Sequence, residues 1–186
     1  MAKEDDLVIT ELEEYRAIKE FAVNNIMFNV ALKGALSEIR IMRYLKEQGV
    51  NIKKSEASDT KGSPDFIIDD KYLMEHKRAS KKSTGLNLKV EFQKSRKSGS
   101  CPSNRLYNKD FCHLVSVDVS EYTKVQNDYR FIVSDQLTEN EKYLSKIKSM
   151  QKINNKNWYS GLSGLERALA TISAQQAHLT ADNHKK

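Results

Sequence analysis

Residues 64–77 constrain the fold more tightly than any other stretch. Pro64-Asp65-Phe66-Ile67-Ile68-Asp69-Asp70-Lys71-Tyr72-Leu73-Met74-Glu75-His76-Lys77 is two apolar, strand-like runs joined by a polar turn. In a strand, residues two apart share a face, so Glu75 and Lys77 point the same way. A three-residue loop of Asp69, Asp70 and Lys71 pairs Ile68 with Tyr72, Ile67 with Leu73 and Phe66 with Met74, which sets Asp65 opposite Glu75. Asp69 and Asp70 serve the turn.

Two acids at cross-strand distance repel unless a positive charge lies between them, and a hard divalent cation with oxygen ligands relieves that repulsion. The pattern therefore predicts a Mg2+ site. Lys77 beside it can orient or deprotonate a water and neutralise charge building on a phosphate, the needs of metal-assisted phosphodiester hydrolysis. The competing reading is a surface hairpin with scattered charges.

Charge distribution bears on the partner. The net charge of +6 hides an acidic start, with three Lys or Arg against seven Asp or Glu in residues 1–20, and a basic block at 71–110, with eleven against three. The basic block begins at the predicted metal site, and clustered cations there suit a nucleic-acid backbone. A solvated surface without a ligand is the alternative. At 186 residues with 30% charged side chains, the chain reads as one soluble domain with its own core. No apolar run reaches membrane-spanning length, and Met1-Ala2-Lys3-Glu4-Asp5-Asp6 is acidic where a secretory signal is basic and then apolar. The expectation is no membrane and a cytoplasmic location. Cys101 and Cys112 are too few and too irregularly placed for a disulfide framework, and read as free thiols.

Along the chain, 7–28 has helical spacing at Leu12, Tyr15, Ile18 and Ala22, with Asn24, Asn25 and Asn29 as candidate interruptions. A second helix from about Val30 to Gln48 sets Leu32, Ala35, Leu36, Ile39, Met42 and Leu45 on one face and stops at Gly49. A short strand from Val50 to Lys54, a polar loop over 55–63 and the hairpin follow. Leu86, Leu88, Val90 and Phe92 alternate like a strand, with a helix still open. Residues 97–110 read as loop, and Phe111 to Val119 and Tyr129 to Val133 as buried strands. Thr138-Glu139-Asn140-Glu141 resembles the acidic first turn of a short helix to about Met150. A last helix over 163–177 carries Leu165, Ala168, Leu169 and Ile172, with Trp158 and Tyr159 as core or interface, and the tail frays over 178–186. The order predicts an α/β sandwich around a mixed sheet.

Pro64-Asp65 and Glu75-His76-Lys77, on consecutive strands after a helix, resemble the PD-(D/E)xK nuclease superfamily. The resemblance covers roughly 30–134 and implies a restriction-endonuclease-like αβββαβ core, a central mixed sheet flanked by helices, with an N-terminal helical extension over 1–28 and C-terminal helices over 135–177. It implies Asp65, Glu75 and the backbone carbonyl of His76 as metal ligands and Lys77 as the catalytic lysine. Glu38 fits the acid that many members place on the first core helix, although it can equally be a solvated glutamate near Arg40 and Arg43. A narrower resemblance links Gln93-Lys94-Ser95-Arg96 and Ser103-Asn104-Arg105-Leu106-Tyr107 to small bacterial restriction-type nucleases, with Gln93 orienting the site and Lys94 and Arg96 contacting DNA. Tyr107, as a loop aromatic, can stack on a base.

The resemblance thus implies a Mg2+-dependent type II restriction endonuclease acting on double-stranded DNA in a bacterial or archaeal cell. Arg78, Lys81, Lys82, Lys94, Arg96, Lys97 and Arg105 would hold the duplex, and a homodimer would suit a palindromic target. A structure-selective repair or junction-resolving nuclease and a non-catalytic DNA-binding module of the same fold are the alternatives. His76 and His113, isolated in sequence, are expected to pack or lie exposed and not to catalyse.

Overall fold

The computed structural model describes residues 13–14, 16–21, 23–55, 63–80, 82–84, 87–93, 102–154 and 156–183. It divides into two units, Met1–Ser37 and Glu38–Lys186. In the first unit the described residues are helical, with one break at Asn25. The side-chain Oδ1 of Asn25 accepts the Phe28 N–H at 3.0 Å, so the predicted interruption falls there and starts the next helix as an N-cap does. That helix, α1 (Ile26–Glu47), runs on through Asn29 and into the second unit.

The second unit is built on a six-stranded mixed sheet in the order β1-β2-β3-β5-β6-β8. Its strands are β1 (Ile52–Lys54), β2 (Phe66–Ile68), β3 (Tyr72–Arg78), β5 (Leu114–Asp118), β6 (Tyr129–Val133) and β8 (Tyr159–Ser160). The β3–β5 pair is parallel and every other neighbouring pair antiparallel. The short helix α2 (Ser120–Thr123) follows β5, and α3 (Gly161–Asn183) leaves β8 directly.

Alternation along the strands sorts the core into two layers. Phe66, Ile68, Met74, Leu114, Tyr129 and Phe131 face Ile41 and Leu45 of α1 and Leu165, Ala168 and Ile172 of α3. Each of these buried side chains contributes about 1.5–3 kcal/mol of transfer free energy. On the opposite face Val115, Val117 and Ile132 meet Leu88, Val90, Phe92, Ile147 and Trp158. A second, two-stranded sheet of β4 (Lys89–Glu91) and β7 (Met150–Lys152) supplies part of that layer.

Helix α1 ends as its sequence implies. Gly49 has φ +80°, its N–H reaches the Lys46 carbonyl at 3.0 Å, and the Val50 N–H reaches that of Leu45 at 3.0 Å, the paired bonds of a Schellman C-cap. The buried stripe differs from the expected one, for Ser37, Ile41 and Leu45 lie inside while Leu36 and Ile39 are 40% and 47% exposed. Spacing fixes that a helix has an apolar stripe, but α1 carries apolar residues on more than one side, and the sheet chooses which faces inward.

Three further expectations need correction. The αβββαβ order calls for a helix between β3 and β5; the described residues of that connection instead hold β4 and a single 3-10 turn, Pro102–Arg105. The alternation at Leu88, Val90 and Phe92 is therefore that of a strand, buried on one side. No helix opens at Thr138. The Asn140 side chain binds the N–H groups of Lys142 and Tyr143 locally at 2.9 and 3.0 Å, Ser145 takes φ +60°, and the buried Gln151 amide holds both Thr138 N–H and Thr138 C=O. These bonds satisfy the backbone outside a helix. The C-terminal helix is also longer than 163–177, reaching Asn183. Among the described residues no helix is long and apolar enough to cross a membrane.

Candidate active site

The hairpin has the register read from sequence: Ile68 faces Tyr72, Ile67 faces Leu73 and Phe66 faces Met74. Asp69 and Asp70 take φ +51° and +55°, a conformation Asp tolerates better than most side chains. The Lys71 N–H closes the turn on the Ile68 carbonyl at 3.0 Å. One residue beyond the last pair, Asp65 precedes β2 and Glu75 continues β3, close enough for the charge of Glu75 to act on the Asp65 carboxyl. Asp65 Oδ2 accepts the His76 backbone N–H at 2.8 Å.

The electrostatics follow from that proximity. Burial, and then the charge of Glu75, push the Asp65 carboxyl up to about 7, against the lowering pull of the His76 N–H and Lys77. Glu38 adds to the upward push, so this helix acid does look toward the site, while its own carboxylate is paired with Lys54. An acid raised by other acids is a group short of positive charge.

Glu75 is 3% exposed and pairs with the Lys77 ammonium. Lys77 Nζ also donates to Tyr107 OH at 3.1 Å and lies 5.0 Å from the centre of its ring. Tyr107 OH in turn donates to Glu75 Oε1 at 3.2 Å. Burial works against the charge of Lys77, but Glu75, Tyr107 and Asp65 outweigh it and hold the amine above its ordinary value. Lys77 is thus held as an ammonium, suited to orienting a water or an anionic oxygen.

Tyr107 is the participant that sequence reasoning misplaced. It is buried against Phe92 and Phe111 instead of standing free to stack on a base. The bridge between Gln93 and Leu106 carries it toward β3. That bridge brings Gln93 within one residue of Tyr107, and no side-chain bond from Gln93 to Asp65, Glu75 or Lys77 occurs among the described residues. Cys112 also lies behind Glu75: its thiol touches Ser134 Oγ at 3.0 Å, and burial pushes it up to about 12, so it is an inert free thiol.

His76 points to the other face. Its Nδ1 lies 2.8 Å from Ser116 Oγ and its ring meets Tyr129 edge-on. Burial drives its pKa down to about 3, so it packs as a neutral ring, as expected. His113 Nδ1 accepts the Leu73 N–H at 2.9 Å, a structural role.

Of the expected DNA contacts, Arg78 follows Lys77 on β3 and binds Glu121 at 2.6 Å. Lys82 is exposed beyond it, and Arg105 lies in the 3-10 turn before Tyr107. Lys81, Lys94, Arg96, Lys97 and Cys101 lie outside the described residues. Among the described residues no three His, Cys, Asp or Glu side chains gather as a ready metal cluster; the acids at the site are the close pair Asp65 and Glu75, with Glu38 turned to Lys54.

No family model and no curated protein matches the chain. Among solved structures it is similar to that of a bacterial homing endonuclease, I-Ssp6803I, at 18% identity over 80% of this chain and 96% of that one, with a TM-score of 0.46.

Proposed function

We propose that this protein is a Mg2+-dependent endonuclease of the PD-(D/E)xK kind that hydrolyses phosphodiester bonds in double-stranded DNA, most specifically a type II restriction enzyme working in the cytoplasm of a bacterial or archaeal cell. The observation that carries this reading is the closeness of the Asp65 and Glu75 carboxyls, with the Lys77 ammonium paired to Glu75 beside them. Asp65 is raised chiefly by its burial and next by the charge of Glu75, a cost that a bound cation would relieve. The donors are hard oxygens, which suits Mg2+. Asp65 and Glu75 would hold the ion, with the His76 carbonyl as the third protein donor and Glu38 nearby.

A bound divalent cation supplies Lewis-acid polarisation of the phosphate and a water of lowered pKa. The chain's own residues do the rest. Lys77, kept protonated and held in place by Glu75 and Tyr107, donates to the attacking water or to a non-bridging phosphate oxygen and offsets charge growing there. The His76 N–H fixes the Asp65 carboxylate, limiting the reorganisation needed at the moment of reaction.

Two copies would act together on a palindromic target. Supporting a homodimer, the first unit exposes Ile18, Phe21, Val23, Ile26, Met27, Val30 and Leu36, more apolar surface than a lone helical segment in water carries without a partner.

The test is incubation of the protein and of Lys77→Ala with unmethylated phage DNA, in Mg2+ or in EDTA. Discrete fragments that require both Mg2+ and Lys77 are expected. Cleavage only of branched or mismatched DNA would turn the reading toward repair, and DNA binding without any cleavage toward a non-catalytic module.

A further inference from the structure

The sheet register joins the candidate active site to a second cationic cleft. Lys77 pairs with Val117, Val117 with Arg130, and Arg130 with Ser160. Paired residues on neighbouring strands point to the same face, so these four side chains form one row across β3, β5, β6 and β8. At about 4.8 Å per strand, Arg130 stands roughly 10 Å and Ser160 roughly 14 Å from Lys77 along that row. Beyond the end of the row opens a cleft of about 480 Å3 lined by Arg130, Ser160, Ser163 and Arg167 together with Trp158 and Tyr159.

The chemistry of this cleft is that of an anion receptor. Arg130 is anchored by Asp128, with Nε 3.1 Å and Nη2 3.2 Å from its carboxylate, and by Nη1 on Ser160 Oγ, which leaves part of its five-donor fork for a ligand. The Arg167 guanidinium carbon lies over the Tyr159 ring, 4.2 Å from its centre, and no carboxylate binds it among the described residues. Ser160 and Ser163 add hydroxyls, and the first turn of α3, which reaches the cleft, carries no acidic residue. Two guanidinium groups, hydroxyls and no acid lining the cleft favour a phosphate over a carboxylate-poor apolar guest.

We propose that Arg167 and Arg130 form a second DNA-backbone site, which holds a phosphate apart from the one at Lys77. This inference rests on the DNA-binding part of the proposed function and adds a contact outside the 71–110 basic block. Contacts of this kind set register on the helix and carry no sequence information.

The experiment measures affinity of the full chain for a fluorescent 30-base-pair duplex in EDTA, where cleavage cannot occur, between 50 and 200 mM KCl. Arg167→Ala, alone or with Arg130→Ala, should lower the magnitude of the slope of log K against log salt by about 0.9, the value of one phosphate contact. Lys142→Ala, an exposed cation elsewhere, should leave the slope unchanged. Circular dichroism melts check that each variant is folded; Arg167→Lys, which retains the charge, should keep the slope. Unchanged slopes in a folded Arg167→Ala would overturn the site even if the wild type cuts DNA. The expected loss of slope in a protein that never cuts would keep the site while sinking the nuclease reading. A melting shift with 10 mM inorganic phosphate that depends on Arg167, with no change in duplex binding, would assign the cleft to a free phosphate and also overturn the proposal.

Discussion

The phenolic oxygen of Tyr107 lies 3.2 Å from Oε1 of Glu75 while accepting a hydrogen bond from Lys77 Nζ at 3.1 Å. Tyr107 is therefore a positioning residue that fixes the distance between an acid and an ammonium. Tyr107→Phe keeps the buried ring and loses only the oxygen. Single-turnover cleavage should slow by about tenfold, in keeping with a loss of about 1.4 kcal/mol of positioning felt in the transition state, with duplex affinity unchanged. An unaltered rate would mean that Glu75 and Lys77 hold each other without help.

Lys77→Ala removes the ammonium that interacts with both Asp65 and Glu75. Cleavage should fall by about 10²–10³-fold, while duplex binding in EDTA persists. Near-normal cleavage would remove Lys77 from the chemistry.

Asp65 and His76 make opposing contributions to stability over almost the same pH range. Asp65 has its pKa raised from 3.8 to about 7; the native state binds the extra proton between those values, so stability falls as pH rises through them. His76 has its pKa lowered from 6.5 to about 3; there the unfolded state binds the extra proton, so stability falls as pH drops. The two offset each other between about pH 4 and 6.5. Asp65→Asn should unmask the histidine, giving a metal-free protein whose advantage over wild type grows from none near pH 4 to at most about 4 kcal/mol above pH 7. Denaturant titrations from pH 4 to 8 read this directly, and parallel curves for the two proteins would contradict it. At pH 8, Mg2+ should raise the wild-type melting temperature and leave that of Asp65→Asn unmoved.

Glu38 contributes to the raised Asp65 without touching it. Glu38→Gln should increase the Mg2+ concentration for half-maximal cleavage by on the order of tenfold, with the rate at saturating Mg2+ retained. An unchanged Mg2+ requirement would leave Glu38 as the ion-pair partner of Lys54 alone.

Met27 and Val30 are 76% and 53% exposed on the first unit. Met27→Lys with Val30→Lys should convert a dimer into a monomer in sedimentation velocity and abolish double-strand breaks before nicking. A wild type that sediments as a monomer at micromolar concentration would remove the dimer from the reading.

What was legible in the sequence were the features set by local rules. The hairpin register follows from a period of two and a turn of two aspartates, β6 from an apolar, aromatic run, and the end of α1 from Gly49. The shared face of Glu75 and Lys77 was legible for the same reason, since both lie on β3 and strand alternation alone puts them side by side. Tyr107 was not, because its place depends on a bridge between Gln93 and Leu106 that no local pattern announces. The buried stripe of α1 and the loop over 138–149 failed in a related way: tertiary partners, the sheet in one case and the Gln151 amide in the other, decided between locally acceptable options.

The three-residue turn at Asp69, Asp70 and Lys71 acts as a parity setting for the chemistry. Strand side chains alternate, so one residue added to or taken from that turn, if the three-residue loop re-formed and β3 slipped by one residue against β2, would swing Glu75 and Lys77 under the helices and bring Met74 and His76 to the face they now occupy. Length variation that most surface loops absorb is thus closed to this one, and the spacing between Asp65 and Glu75 is as much a part of the site as the two acids themselves.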